Sequence, residues 1–322
     1  MARRKKETTR RRQSDRVPAS ASLELQGKGT LCIIGGHEDK DGDREILEAV
    51  VARAHHGRIV VATVASGVPE ELWETYSKVF DQLGASDVAR LDVPERGGAY
   101  GNDSLKLLAS AQGVFFTGGD QVRITSNIGG TPVCDAIRDV FGRGGVIAGT
   151  SAGASAMSET MLISGEDQQS VRIRQSLHMA PGLALLPGVI IDQHFAERGR
   201  MGRLVGAVAQ NPRLLGVGID ENTAIIAQGD SFEVMGDGAV YVVDALGESY
   251  TNISEADPED IMAVFDLRLH ILSPGSSFDL KTRRPSRPPN GNGKPANGSR
   301  RGNGAAKSKA GGKNGSTRGH KD

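Results

Sequence analysis

Short apolar runs alternate with longer stretches of helical period through the first half of this chain. Residues 31–34 read as a strand, followed by the turn Gly35-Gly36. Between 46 and 55 the apolar residues Ile46, Leu47, Val50, Val51 and Ala54 recur at the one-sided spacing of an amphipathic helix. Residues 59–64, 88–93 and 114–116 continue the strand series, with helical spacing over 70–83 and 104–111 between them. A helix over 133–141 leads to the apolar run Val146-Ile147-Ala148. Strands separated by helices at this spacing predict βαβ units, hence an α/β fold with a doubly wound, mostly parallel sheet. Later, 185–191 and 216–219 are strand-like. The short runs 224–227, 232–234 and 239–243 are joined by Gly-Asp and Gly-Asp-Gly turns and predict an antiparallel C-terminal β extension at the sheet edge.

Charge divides the chain into three parts. Residues 1–16 carry eight Lys/Arg against Glu7 and Asp15, and 281–322 carry twelve against Asp322 alone, amid Gly, Asn, Ser and Pro. Such segments cannot bury enough apolar surface to offset their ordering entropy, so 1–27 and 281–322 are expected to be disordered arms. Residues 17–280 retain 19 basic and 36 acidic residues, a formal charge of −17, behind an overall charge of zero. One domain over 28–280 follows, large enough for a well-filled core. The arms could attract a polyanion, but no aromatic residue is interleaved with their charges, which argues against nucleic-acid reading. Cys32 and Cys134 both sit among apolar neighbours, as buried free thiols of a reducing compartment do. Nothing reads as a secretory signal or a membrane span, so the expected location is the cytoplasm.

Candidate chemistry begins at Gly149-Thr150-Ser151-Ala152-Gly153, the G-x-S-x-G pattern at the end of an apolar run. Side chains two residues either side of a serine on such a turn would collide with neighbouring elements, and Gly149 and Gly153 remove them. Among seven histidines, His194 ends the run 185–191 within Asp192-Gln193-His194-Phe195, so acid, amide and imidazole arrive together at a strand end. For an orienting carboxylate, 216–219 ends in Asp220-Glu221; alternation sends these to opposite sides, so only one faces His194. His37 stands beside Glu38, Asp39, Asp41 and Asp43, a cluster like a calcium loop. Arg44 and Val50, however, occupy the positions where such a loop needs Gly and Glu, and no metal is expected. The order serine, histidine, acid departs from that of α/β-hydrolases and points to another scaffold.

Four ordered segments, spread over essentially all of 28–280, resemble the cyanophycinase family of serine peptidases, which also contains aspartyl dipeptidase. They are Phe116-Thr117-Gly118-Gly119-Asp120-Gln121, the stretch from Gly149 to Ser158, Asp192-Gln193-His194-Phe195 with Arg198, Arg200 and Arg203, and Gly218-Ile219-Asp220-Glu221-Asn222-Thr223-Ala224. The resemblance implies a flavodoxin-like scaffold shared with class I glutamine amidotransferases. It also implies cleavage of cyanophycin, a poly-aspartate bearing arginine on each β-carboxyl, to β-aspartyl-arginine through an acyl-enzyme. By the same resemblance Ser151 is the nucleophile, His194 the base and then acid, and Glu221 the orienting carboxylate. The N–H groups of Gly118, Gly119 and Ala152 would form the oxyanion hole. Gln121, Asp192, Gln193, Arg198, Arg200 and Arg203 would hold substrate, with no cofactor and as a homodimer. Arginines suit a substrate with free carboxylates, because guanidinium and carboxylate pair bidentately. Two other readings remain: an α-aspartyl dipeptidase on the same scaffold, and a polymer- or nucleic-acid-binding protein acting through its basic arms.

Overall fold

Strands that are apolar on both faces need cover on both faces, and the arrangement of the chain supplies it. A computed structural model describes residues 28–164, 177–247, 250–255, 257 and 260–288. Five strands, β1 (Thr30–Ile34), β2 (Arg58–Ala62), β3 (Asp87–Leu91), β4 (Gly113–Phe116) and β5 (Val146–Thr150), lie parallel in the order β1-β5-β4-β2-β3. Alternation along them separates two packing faces. Cys32, Ile34, Ile59, Val61 and Phe115 pack with helices α1 (Glu45–Arg53) and α2 (Pro69–Gln82). Leu31, Ile33, Val60, Val114, Phe116 and Ile147 pack with α3 (Asn102–Ala109), α4 (Gln121–Ile128) and α5 (Pro132–Gly142). The α/β, doubly wound expectation therefore holds.

Helix α4 was not anticipated from the pattern. Only Ile124 and Ile128 among its residues are buried and apolar, too few to show a period. Its start is set by Asp120, whose carboxylate accepts the Val122 N–H at 2.8 Å. Thr131 and Pro132 start α5 in the same way, cap followed by a proline at the first turn.

After the short helix α6 (Ala152–Ala156) the chain builds a second sheet. Strands β6 (Ser158–Ser164), β8 (Leu186–Gln193) and β9 (Leu215–Ile219) run parallel to one another, with β7 (His178–Pro181) antiparallel on β6. Helix α7 (Met201–Gln210) covers its outer face through Leu204 and Val208 against Ile190 and Phe195. The inner face, through Val189, Ile191, Val217 and Ile219, joins the main core. The predicted antiparallel C-terminal extension is present, with one refinement: its strands divide between two sheets. Strands β10 (Thr223–Gln228) and β11 (Ser231–Gly236) extend the first sheet antiparallel from β1, whereas β12 (Val240–Asp244) pairs with β9. The returning chain pairs with the backbone groups of β1 and β9 that would otherwise stand at an edge. The two-residue strands β13 (Tyr250–Thr251) and β14 (Val264–Phe265) form a small ribbon. Strand β15 (Arg268–Leu272) then pairs with β12, and β16 (Ser277–Asp279) and β17 (Arg284–Ser286) complete the first sheet.

The domain boundary drawn at 280 is also corrected. Residues 281–288 belong to the folded unit, because Arg283 is buried and its Nη1 meets Asp244 Oδ1 at 2.6 Å while Nη2 donates to the Arg213 carbonyl. The apolar pattern gave no sign of this, since the anchor is an arginine inside a basic stretch. The arms expected over 1–27 and from 289 onward lie outside the described residues. A chain stopped after Leu280 leaves Asp244, 2% exposed, without that partner. Arg268 Nη1 still meets Asp244 Oδ2 at 2.9 Å, so such a chain should be less stable than one stopped after Pro288 by about 2 kcal/mol, the weight of a lost hydrogen bond to a charged group, as read by calorimetry. Equal melting temperatures would count against the anchor.

Both cysteines are free and buried, and burial pushes the Cys32 thiol up to about 12, so it is inert at neutral pH. No helix among the described residues is long and apolar enough to cross a membrane.

Candidate active site

The carboxyl ends of β1, β5, β8 and β9 converge, where open α/β sheets place their ligands. Backbone bonds tie these ends together: Ser151 N–H to the Ile34 carbonyl at 3.1 Å, His194 N–H to Gly35 at 2.8 Å, and Asn222 N–H to Gly36 at 2.9 Å. Ser151 follows β5 with φ 54° and ψ −112°, a conformation that L-residues avoid. Two glycines make room for it. A Cβ on Gly149 would lie 2.7 Å from the Gly153 carbonyl oxygen, and one on Gly153 would lie 2.5 Å from that of Phe116.

The Ser151 hydroxyl donates to His194 Nε2 at 3.0 Å, and His194 Nδ1–H donates to Glu221 Oε1 at 2.6 Å. The three groups predicted from separate strand ends thus form one hydrogen-bonded line. Asp220, on the other side of β9's end, accepts the N–H groups of Ala196 and Ala239 and so braces the loop, as alternation requires. The imidazole sits directly over Gly36, where a Cβ would lie 2.3 Å from its Cε1; φ +108° there also demands glycine. Gly218 similarly leaves space for the Phe195 ring.

Burial lowers His194 below the ordinary histidine value; the hydrogen bond to Glu221 pulls it back, and the charge of Arg198 adds a further downward push. The ring is therefore neutral near pH 7 and able to accept a proton. Burial tends to raise Glu221, but the His194 hydrogen bond and the charge of His37 outweigh it, so the carboxylate stays ionised. Arg198→Gln removes one cation that disfavours the imidazolium. His194 then keeps its proton to higher pH, and the acid limb of kcat/KM moves up the pH scale. A pH–rate profile with the limb unmoved or shifted downward would refute this coupling.

Gly118 lies beside the serine, where a Cβ would be 3.6 Å from Ser151 Cβ. Among the described residues the N–H groups of Gly118, Gly119 and Ala152 meet no backbone acceptor, as donors of an oxyanion hole would require.

The residues expected to hold substrate divide differently. Asp192, fully buried, takes Arg203 Nε at 2.7 Å and Nη2 at 2.5 Å, and Arg200 Nη1 at 3.0 Å. Arg203 is itself 6% exposed. Asp192 and Arg203 are therefore spent on each other beneath the site, because a buried carboxylate requires its cation. Gln121 is likewise committed, its Nε2 donating to the Leu162 carbonyl at 2.5 Å. Gln193 is buried, its Oε1 without a partner among the described residues, and its carbonyl accepts from Arg200 Nη1. Only Arg198 is exposed and without a side-chain partner among the described residues.

Two residues that the sequence suggests only as part of a calcium-like cluster belong to the site. Glu38, 3% exposed, accepts from Tyr76 Oη and Thr150 Oγ1, both at 2.5 Å, and from Lys40 Nζ at 2.9 Å, bracing the residue before Ser151. His37 Nδ1–H donates to Glu221 Oε2 at 2.9 Å. Their position just after β1, at the same sheet end as Ser151, was the available signal. The acid cluster there resembles a calcium loop in sequence but serves another purpose. In fact Asp39 accepts the N–H groups of Asp41, Gly42 and Arg44, which pull its carboxyl down to about 2.

The profile of peptidase family S51 matches residues 31–235. A cyanophycinase of Geminocystis herdmanii (strain PCC 6308) is 38% identical over 262 residues, covering 80% of this chain and 96% of the relative. A cyanophycinase of Trichormus variabilis (strain ATCC 29413 / PCC 7937) is 40% identical over 261 residues, 80% of this chain and 87% of the relative. Among solved structures, a peptidase from an acI-B1 Actinobacterium superposes with a TM-score of 0.56 at 21% identity, over 80% of this chain and 99% of the other. That similarity is one of fold.

Proposed function

This chain belongs to peptidase family S51, and from that premise we propose that it is a serine-type hydrolase of cyanophycin, cutting the poly-aspartate backbone to β-aspartyl-arginine. The observation that carries the reading is the Ser151–His194–Glu221 line, on a chain 36–40% identical to several cyanophycinases over 80% of its length. Ser151 Oγ attacks a backbone carbonyl while its proton passes to His194 Nε2, and Glu221 holds the imidazole in the receiving tautomer. The oxyanion falls to the N–H groups of Ala152, Gly118 and Gly119. The amine leaves with the proton from His194, and a water deprotonated by the same ring releases the acyl group from Ser151. Arg198, exposed and one turn beyond His194, is the cation placed to take a free substrate carboxylate.

The test is incubation of insoluble cyanophycin with the purified chain, the products compared with authentic α- and β-linked Asp-Arg. β-Aspartyl-arginine as the product supports the reading. Intact polymer alongside cleavage of the α-linked dipeptide would move the assignment to an aspartyl dipeptidase. We read the working form as a cytoplasmic homodimer, supported by the family likeness and by the two buried free thiols. Light scattering should then give twice the chain mass of 33.9 kDa.

A further inference from the structure

We propose that His37 is a positioning residue for hydrolysis, holding the outer oxygen of Glu221 so that the inner oxygen stays on His194. The proposal rests on the Ser151–His194–Glu221 reading. Glu221 sits in a loop at the end of β9, with its side chain 27% exposed, so nothing in its burial fixes its rotation. It is held instead by two donors on its two oxygens, His194 Nδ1–H at 2.6 Å and His37 Nδ1–H at 2.9 Å. His37 is 75% exposed, so burial did not force this pairing. Its backbone lies in the left-handed region, φ 47°, a conformation uncommon outside glycine and held only when neighbours determine it.

Asn222 is the neighbour that determines it. Gly36, before His37, accepts the Asn222 N–H at 2.9 Å, and Asp39, after it, donates its N–H to Asn222 Oδ1 at 2.8 Å. The loop of His37 is thus clamped to the residue next to Glu221 from both sides. The His37 ring also meets the His194 ring edge-on, centroids 5.2 Å apart and planes at 84°. An exposed pair of this kind contributes little to folding. Its consequence is orientation: without the second donor, the carboxylate can turn away from the imidazole it must hold.

The experiment compares the full chain with His37→Ala, His37→Gln and His37→Phe, by the rate at which a fluorophosphonate labels Ser151. In that step Ser151 Oγ bonds to phosphorus, the P–F bond breaks, fluoride leaves, and the hydroxyl proton passes to His194 Nε2. The rate thus reads the relay whatever the natural substrate. His37→Ala and His37→Phe should slow labelling about tenfold, the weight of one hydrogen bond to a charged group. His37→Gln, whose amide can donate to the same oxygen, should stay within about threefold of the unaltered chain. Melting temperatures should be unchanged in all three. On cyanophycin, His37→Ala should lower kcat and leave KM. Normal labelling of His37→Ala, or equal slowing of the Ala and Gln variants, overturns the proposal while leaving the Ser151–His194–Glu221 reading intact. No labelling of the unaltered chain at Ser151 overturns both.

Discussion

Ser151→Ala should fold and melt like the unaltered chain yet hydrolyse cyanophycin about 10⁴- to 10⁶-fold more slowly, the range found when a serine nucleophile is removed from an assembled relay. The conformation at Ser151 is imposed by what surrounds it: the Ile34 carbonyl holding its N–H, and Gly149 and Gly153 providing the room. None of these depends on Oγ, so alanine adopts the same backbone and only the nucleophile is lost. His194→Ala should lose as much, because the hydroxyl then has no acceptor at 3.0 Å. Glu221→Gln should lose about 10⁴-fold, by letting the imidazole take the wrong tautomer. The double variant Ser151→Ala/His194→Ala should be no slower than either alone, since the groups act as a unit. Quantifying β-aspartyl-arginine released per chain checks all four. Losses that multiply in the double variant would show that the groups do not work together.

How much of this was legible depended on the kind of interaction. The first-sheet strands and helices α1, α2, α3 and α5 were, because their burial follows a one-dimensional period that the sequence writes out directly. The line from Ser151 through His194 to an acid was legible as three strand ends, since sites of parallel sheets gather there, but only the family resemblance chose Glu221 over Asp220. What the pattern could not show was which sheet a late strand joins, because an alternating run reads the same whether it pairs with β1 or with β9. Polar partners were the hardest to read. Arg198, Arg200 and Arg203 look alike as a charge run, yet only the fold reveals that Arg203 turns inward to a buried carboxylate while Arg198 remains in solvent. The partners of His37 and Arg283 were missed for the same reason, since they lie 184 and 39 residues away in sequence.

The second large effect follows from that inward turn. Asp192→Ala should destabilise the protein by about 3–5 kcal/mol, the loss expected when one member of a buried ion pair is removed. Arg203, 6% exposed, would keep its charge with no carboxylate to receive its Nε and Nη2. Arg200 would also lose one of its acceptors, and the Gln193 N–H would lose the Asp192 oxygen it meets at 2.9 Å. For a unit of this size the change corresponds to a fall in melting temperature on the order of 10 °C. The replacement also separates two roles for Asp192. As a substrate contact it would raise KM with the melting temperature unchanged. As the counter-charge beneath the site, it should lower the melting temperature while KM, measured well below the new transition, changes little. Arg203→Met, which removes the other charge, should be destabilising too. The double change Asp192→Leu/Arg203→Met should recover part of the loss, because two apolar side chains leave no unpaired charge behind. Melts of the two single variants and the double variant test the point, and independent, additive losses would show that the pair is not the source of the stability.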